Sequence, residues 1–368
     1  LGSLRGIAAK GAQLASYVDG VVPPEHEALF EATLGRLRAQ APRTPPDQAR
    51  ALVEAELGGP LSALFRDFEA EARASGSLGQ VHRATLLDGR AVAVKVQHAG
   101  MAEAVEADLA NMATQEALVG PLGGRRHGTE QVVTLLSARF REELDYRREA
   151  SHLTEFSALH AGDPTIRVPA VIPERSAGRV LTTEWVEGLT LAEAAQQPEE
   201  MRRTYAETLW RFVFVSNFVG HRFNADPHPG NYVFRPGGEV YFLDFGCVQT
   251  IPESLYAAML ALHMAALEQD ERVLRRAATL LFRTRGGAAE ERVVAHAREV
   301  LAPLYHSPYR VERAYAARLF TELQGLTRDL DMARSLLAEA GYPNGFEINF
   351  EYPDWNYIGT DFGIVAQK

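Results

Sequence analysis

The chain has 368 residues, 46% apolar and 23% charged, which excludes a disordered, collagenous or coiled-coil protein and predicts one large or two modest globular domains. A net charge of −10 argues against a general nucleic-acid binder working by phosphate neutralisation, while leaving room for a local phosphate site. The single cysteine, Cys247, excludes an intrachain disulfide, and without Cys/His pairs at zinc-ligand spacing it points to a reducing compartment and no structural metal.

Residues 4–18 and 25–40 read as helices parted by Gly20 and the turn Pro23-Pro24, and a Pro-rich break at 41–46 precedes a third helix, 46–57. The first residues lack the order of a signal peptide, and a start at Leu1 leads us to expect a trimmed chain. From Gln80 the apolar period becomes two, giving strands 80–86 and 90–97 around the turn Asp88-Gly89. Val92, Val94 and Val96 share one face and Ala93, Lys95 and Gln97 the other. Lys95 draws attention because only Lys10, Lys95 and Lys368 among 38 basic residues are lysines. A compact ammonium kept in an arginine-using chain suits a tight phosphate contact. Residues 101–119 and 129–160 have helical periodicity around a Gly-rich 120–128 segment, and 167–186 reads as β-rich. The stretch from 191 to about 326 is mainly helical, broken near 225–245 by a loop, a hairpin around Pro236-Gly237-Gly238 and the apolar strand 240–243. Within it, the longest apolar run, 255–267, is too short for a membrane span and reads as a buried core helix.

This order predicts an α+β, protein-kinase-like fold with a small β-rich N-lobe and a large helical C-lobe. We divide the chain into a helical N-terminal extension (1–60), an N-lobe with inserted helices (61–188), a helical C-lobe (189–328) and a tail (329–368). The tail holds seven acidic and two basic residues, half the net charge, and differs in composition from what precedes it.

Asp226-Pro-His-Pro-Gly-Asn231 sets a carboxylate five positions before an amide, and Asp244-Phe-Gly246 follows thirteen positions later, behind an apolar strand. That spacing matches a kinase catalytic loop and metal-binding motif. Phosphoryl transfer needs an acceptor-orienting carboxylate, metal ligands near the terminal phosphates and a lysine on phosphate oxygens. Asp226, Asn231 with Asp244, and Lys95 suit those roles, with ATP and Mg²⁺ as cofactors. A second Asp-Phe-Gly at 361–363 lacks the strand and the upstream loop and reads as accidental. Leu181-Thr-Thr-Glu-Trp-Val-Glu-Gly188 has the form of a kinase hinge, with Thr183 as gatekeeper and the Glu184 carbonyl and Val186 amide facing an adenine edge, which favours ATP over GTP. A buried strand and turn accounts for the same residues equally well.

The stretch Ala74-Ser-Gly-Ser-Leu-Gly-Gln-Val-His-Arg-Ala84, with Val-Ala-Val-Lys-Val-Gln97, resembles the UbiB/AarF atypical kinase-like family over roughly residues 1–325. The resemblance implies that Ala74, Ser75, Gly76 and Ser77 form the alanine-rich loop that replaces the usual Gly-rich one. Gly76 stands where the family often has alanine. It further implies that Lys10-Gly11-Ala12-Gln13 is an imperfect copy of the family's Lys-x-Gly-Gln signature, in an extension folded over the active site near the acidic signature Glu143-Leu-Asp145. Glu149 aligns with the glutamate that pairs with Lys95. On an ideal helix Asp145 and Glu149 share a face while Glu143 does not, so either the helix is irregular there or Glu143 serves another neighbour.

Asn224-Ala225 replaces the His-Arg of protein kinases, and no long activation segment follows Gly246, which favours ATP hydrolysis or a small-molecule acceptor over a peptide. The tail from Asp331 through Phe350 resembles a piece of the peptide-type solute-binding proteins of ABC importers. The family resemblance implies a Mg-dependent ATPase or kinase supporting ubiquinone-type isoprenoid quinone biosynthesis or related lipid metabolism. It leaves open a lipid or quinone-precursor ligand and peripheral contact with the inner face of a membrane by an otherwise cytoplasmic protein. Two other readings stand beside it: a small-molecule phosphotransferase of the aminoglycoside or choline kinase type, and a nucleotide-sensing pseudokinase scaffold.

Overall fold

A computed structural model describes residues 44–306 apart from 77, 102, 104–143, 226–227 and 285, together with 309, 314, 315, 318, 319 and 322. The helices expected at 4–18 and 25–40 and the tail 329–368 lie outside the described residues. The chain divides into two compact units, Leu1–Ala261 and Leu262–Lys368.

The first unit opens with helix α1 (Pro46–Leu57), whose proline at the first helical position has a preset φ and no amide left wanting, and with the single turn α2 (Leu61–Leu64). A five-stranded antiparallel sheet follows, made of β1 (Asp67–Phe68), β2 (Ala74–Ser75), β3 (Gly79–Thr85), β4 (Ala91–Gln97) and β6 (Val180–Glu184). Strands β3 and β4 pair from Gly79↔Gln97 to Thr85↔Ala91, and Gly89 at φ +91° allows the chain to reverse between them. The period of two then decides what each face does. Val92, Val94 and Val96 are buried against Val53, Leu64, Phe65 and Val180, while Val81, Ala93 and Lys95 stay half-buried on the other face.

Helix α3 (Tyr146–Leu159) buries Leu153 and Phe156. It begins later than the continuous helix expected over 129–160, because Asp145 is extended and its side chain caps the new helix by accepting from Arg147 N. β5 (Ile166–Arg167) comes next, and after β6 the chain enters α4 (Leu191–Ala194) and α5 (Glu199–Phe218), which buries Tyr205, Thr208, Phe212 and Ser216 at helical spacing. β7 (Arg222–Asn224) pairs antiparallel with β10 (Val248–Thr250), and between them lies the hairpin β8 (Tyr232–Phe234) and β9 (Val240–Phe242), with β5 parallel to β9. Phe212 stacks on Phe242 at 3.6 Å, and Phe156 meets Phe245 at 4.6 Å, so one aromatic core fixes α3, α5 and the chain just after β9.

Helix α6 (Glu253–Glu268) contains the boundary between the units. It corrects the reading of 255–267 as a fully buried helix: Ala258, Leu262, Ala265 and Ala266 are buried, but Leu255, Leu260, Met264 and Leu267 are exposed. In the second unit, α7 (Glu271–Phe282) and α8 (Gly287–Val300) pack Leu274, Ala277 and Ala278 on one side and Val293, Val294 and Ala297 on the other, and α9 (Ala302–Tyr305) follows. Arg275 binds Glu290 and Glu291 near the start of α8 while Arg298 near its end binds Glu271, so the two helices run antiparallel. Among the described residues no helix is long and apolar enough to cross a membrane.

Candidate functional site

Lys95 lies mid-strand in β4, opposite Val81 on β3 and Leu181 on β6. Its Nζ stands 2.8 Å from both carboxylate oxygens of Glu149 and 3.1 Å from Asp244 Oδ2, and 5.2 Å from the centre of the Tyr146 ring. Three separate elements therefore converge on one ammonium. Glu149 sits one turn into α3, and the start of that helix is fixed from the sheet: Gln97 Nε2 donates to Leu144 O at 2.8 Å and Tyr146 N to Gly178 O at 3.0 Å. Asp244 follows β9, where Asn224 Nδ2 donates to its backbone carbonyl at 2.9 Å and its Oδ1 accepts from Gly246 N at 2.9 Å. His152 donates from Nδ1 to Phe245 O at 3.0 Å, because a carbonyl can only accept. The peptide after Asp244 is thus tied to the helix that carries Glu149.

One cation faces two carboxylates, of which Glu149 is buried and Asp244 is 28% exposed. Burial works to lower the Lys95 pKa, but the charges of Asp244 and Glu149 outweigh it and hold the ammonium well above its ordinary range. Burial pushes the Glu149 carboxyl up to about 7, against the pull of Lys95 and with the repulsion of Asp244. The cluster is thus short of positive charge, the condition that favours a metal cation beside it.

Asn231 and Asp244 lie at one end of the β8–β9 hairpin. Tyr232 and Phe242 are its terminal pair, and Leu243 N donates to Asn231 O at 2.9 Å, which brings Asp244 one residue past the position opposite Asn231. A carboxylate and an amide oxygen are hard donors of the kind Mg²⁺ accepts. Among the described residues no group of three or more His, Cys, Asp or Glu could hold a metal. This donor set fits an ion that completes its shell with water and substrate phosphates rather than an all-protein cage.

Ala74 and Ser75 form β2, and the turn after them closes through Gly76 N to Gly79 O at 2.8 Å. A Cβ on Gly76 would come no nearer than 3.7 Å to a neighbour, so sterics do not demand glycine there. On the hinge side, Thr183 pairs with Ala93 and Val92 with Glu184. Trp185 N donates to Ala91 O at 3.1 Å, which makes Val92–Glu184 a non-hydrogen-bonded pair, so the Glu184 carbonyl is not engaged by β4. Val186 follows in half-buried coil. After Gly246 the chain goes straight into β10 and then α6, with residues 247–252 as the whole connection.

The structure brings Lys95, Glu149 and Asp244 into contact and sets Asn231 at the adjoining hairpin end. It does not set Asp145 on the face of Glu149, since Asp145 is the cap of α3 rather than part of it. Lys10, Gln13, Ser77, Glu143 and Asp226 lie outside the described residues. Sequence reasoning assigned no part to Gln97, Asn224 and His152, which bond the backbone at Leu144, Asp244 and Phe245. Only Gln97 carried a signal, as a polar residue sharing the face of Lys95.

Residues 36–278 match the ABC1 atypical kinase-like domain. The chain is 32% identical to the rat atypical kinase COQ8B, mitochondrial, over 77% of this chain and 53% of that protein. It is 33% identical to the probable protein kinase UbiB of Marinobacter nauticus, over 60% of this chain and 42% of that protein. The chain thus spans about half the length of these relatives. Among solved structures, the Rv3197–erythromycin complex from Mycobacterium tuberculosis aligns at a TM-score of 0.61 and 25% identity, covering 87% of this chain and 86% of that one.

Proposed function

The chain belongs to the ABC1 atypical kinase-like family, and from that premise we propose that it binds ATP with Mg²⁺ at the Lys95 cluster and transfers or hydrolyses the terminal phosphate in support of isoprenoid quinone biosynthesis. The pathway follows the family resemblance. The observation that carries the chemistry is the contact of Lys95 Nζ with Glu149 and Asp244, at 2.8 and 3.1 Å, which holds an ammonium where phosphate oxygens would replace one carboxylate. In this reading Glu149 orients Lys95, Asp244 and Asn231 supply oxygen ligands, and Asp226 takes the proton of the attacking hydroxyl or water. Bound Mg²⁺ would neutralise charge on the phosphates. Ala74, Ser75, Gly76 and Ser77 cover the phosphates, and Thr183, Glu184 and Val186 receive the adenine. Lys10, Gln13, Glu143 and Asp145 belong to the regulatory cover over this site. The direct run from Gly246 into β10 and α6 leaves little chain for a peptide platform, so we assign water or a small lipid-type phenol as the acceptor.

Phosphate release from ATP with Mg²⁺, measured with and without a quinone-precursor-like phenol in detergent, tests this on wild type, Asp244→Asn and Asp226→Asn. Wild type should turn over, and each substitution should lower the rate by at least about a hundredfold, the usual scale for removing such a group. ATP-dependent thermal stabilisation without any phosphate release would replace this reading with a nucleotide-sensing scaffold.

A further inference from the structure

A second group of buried polar side chains adjoins the turn after β2: Thr44, Gln80, His82 and His98, none more than 8% exposed. Buried polar atoms this enclosed need partners, and the partners fix their protons. His82 Nδ1 lies 2.8 Å from Glu69 O, a carbonyl, so Nδ1 donates and Nε2 is left to accept. The Gln80 Nε2 atom meets that acceptor at 2.9 Å and also donates to Thr44 O at 3.2 Å, while Gln80 Oε1 accepts from Thr44 N at 2.9 Å. One buried amide thereby grips both backbone groups of Thr44.

The same logic applies to His98. Its Nε2 lies 3.1 Å from Gly76 O and must donate, which leaves Nδ1 to accept from Thr44 Oγ1 at 2.9 Å. Burial lowers the pKa of this ring, so the neutral tautomer persists. The backbone N of His98 donates to Leu78 O at 2.9 Å as well. His98 therefore holds the turn at two carbonyls, and Thr44 holds His98. Thr44 also leads directly through Pro45 into α1, whose Val53 packs against the same sheet.

We propose that Thr44 and His98 are positioning residues that latch the Gly76 and Leu78 carbonyls to the chain entering α1, so that the seating of Thr44 on the sheet sets the shape of the loop over the nucleotide phosphates. The nucleotide half of this proposal rests on the function proposed above; the latch does not. Thr44→Val keeps the volume but removes the proton that Thr44 gives His98 Nδ1, leaving a buried acceptor without that partner and the ring free to release Gly76. Thr44→Ser keeps the hydroxyl.

The test is amide hydrogen exchange of residues 73–80 in the nucleotide-free full chain, together with MgATP affinity, for wild type, Thr44→Val, Thr44→Ser and His98→Leu. Thr44→Val and His98→Leu should speed exchange in 73–80 by roughly tenfold, the scale of one buried hydrogen bond lost with its partner stranded. Both should weaken MgATP binding several-fold, and Thr44→Ser should behave as wild type. A purely structural role would lower the unfolding temperature and raise exchange throughout the lobe without singling out 73–80, and that result overturns the latch. So does a Thr44→Ser variant as impaired as Thr44→Val. Wild type that binds no MgATP would remove the nucleotide reading, while the exchange comparison would still decide the latch.

Discussion

One ammonium between two carboxylates leaves an excess negative charge, and Glu149, whose side chain is 4% exposed against 28% for Asp244, is the less able to pass it to water. Its carboxyl accordingly rises to about 7, from burial first and from the charge of Asp244 besides. A carboxyl whose pKa is higher in the folded chain takes up its proton more readily there, so it favours folding at low pH. That benefit is complete below the ordinary glutamate value and is lost as pH rises through about 7. Glu149→Gln cannot titrate. The stability of wild type relative to Glu149→Gln, from denaturant unfolding without nucleotide, should therefore fall between pH 4.5 and 8 by on the order of 3 kcal/mol. A difference flat across that range would mean that Lys95 cancels the burial of Glu149 completely. The partners differ in how they could be read. Lys95 stood out because the chain otherwise uses arginine, but Glu149 lies 54 residues away and only the family resemblance singled it out. Spacing along a chain cannot report a contact that two elements make by packing.

At the scale of elements, the β3–β4 hairpin was fully legible, because seven paired positions with alternating burial leave a period that cannot be mistaken for a helix. β7 and β10 were not, since three-residue strands such as Arg222-Phe-Asn224 and Val248-Gln-Thr250 have no period to show and pair only because the loop between them brings their ends together. The start of α3 was misjudged for a related reason: periodicity continued through Asp145, and its capping side chain decided the boundary instead. Where β3 meets α3 the tolerance is small. A Cβ on Gly79 would stand 2.5 Å from the Tyr146 hydroxyl and 2.6 Å from Val96 O, and the second atom is backbone of the neighbouring strand. Gly79→Ala must therefore part β3 from β4 or push α3 outward, with Glu149 carried along. It should cost about 3 kcal/mol by overpacking, read as a lower unfolding temperature, together with weaker MgATP binding. Gly76→Ala, whose Cβ would meet Gly79 O only at an ordinary contact distance of 3.7 Å, should fold as wild type does. Equal stabilities for the two alanine variants would show that Tyr146 and Val96 yield without cost.

For the whole molecule, a β-rich lobe preceding a helical one was legible from the change in apolar period, and the order of Lys95, Asn231 and Asp244 along the chain pointed to the candidate site. The division within α6 was not legible, because a helix apolar on all sides carries no mark of where one packed unit gives way to the next. Nor was the Thr44–His98 contact, which spans 54 residues and depends on how α1 meets the sheet. The kinase-like match ends at residue 278, and Lys95, Glu149, Asn231 and Asp244 all fall inside it and inside the first compact unit. The last forty residues carry half the net charge and a separate resemblance, with no motif that the proposed reaction uses. Nucleotide chemistry should therefore be independent of them. A chain ending at residue 328 should keep both the MgATP-dependent rise in unfolding temperature and the phosphate release of the full chain. A fall of more than about tenfold in turnover, roughly 1.4 kcal/mol of barrier, with the folded state intact would instead make the acidic, aromatic tail a working part of the enzyme.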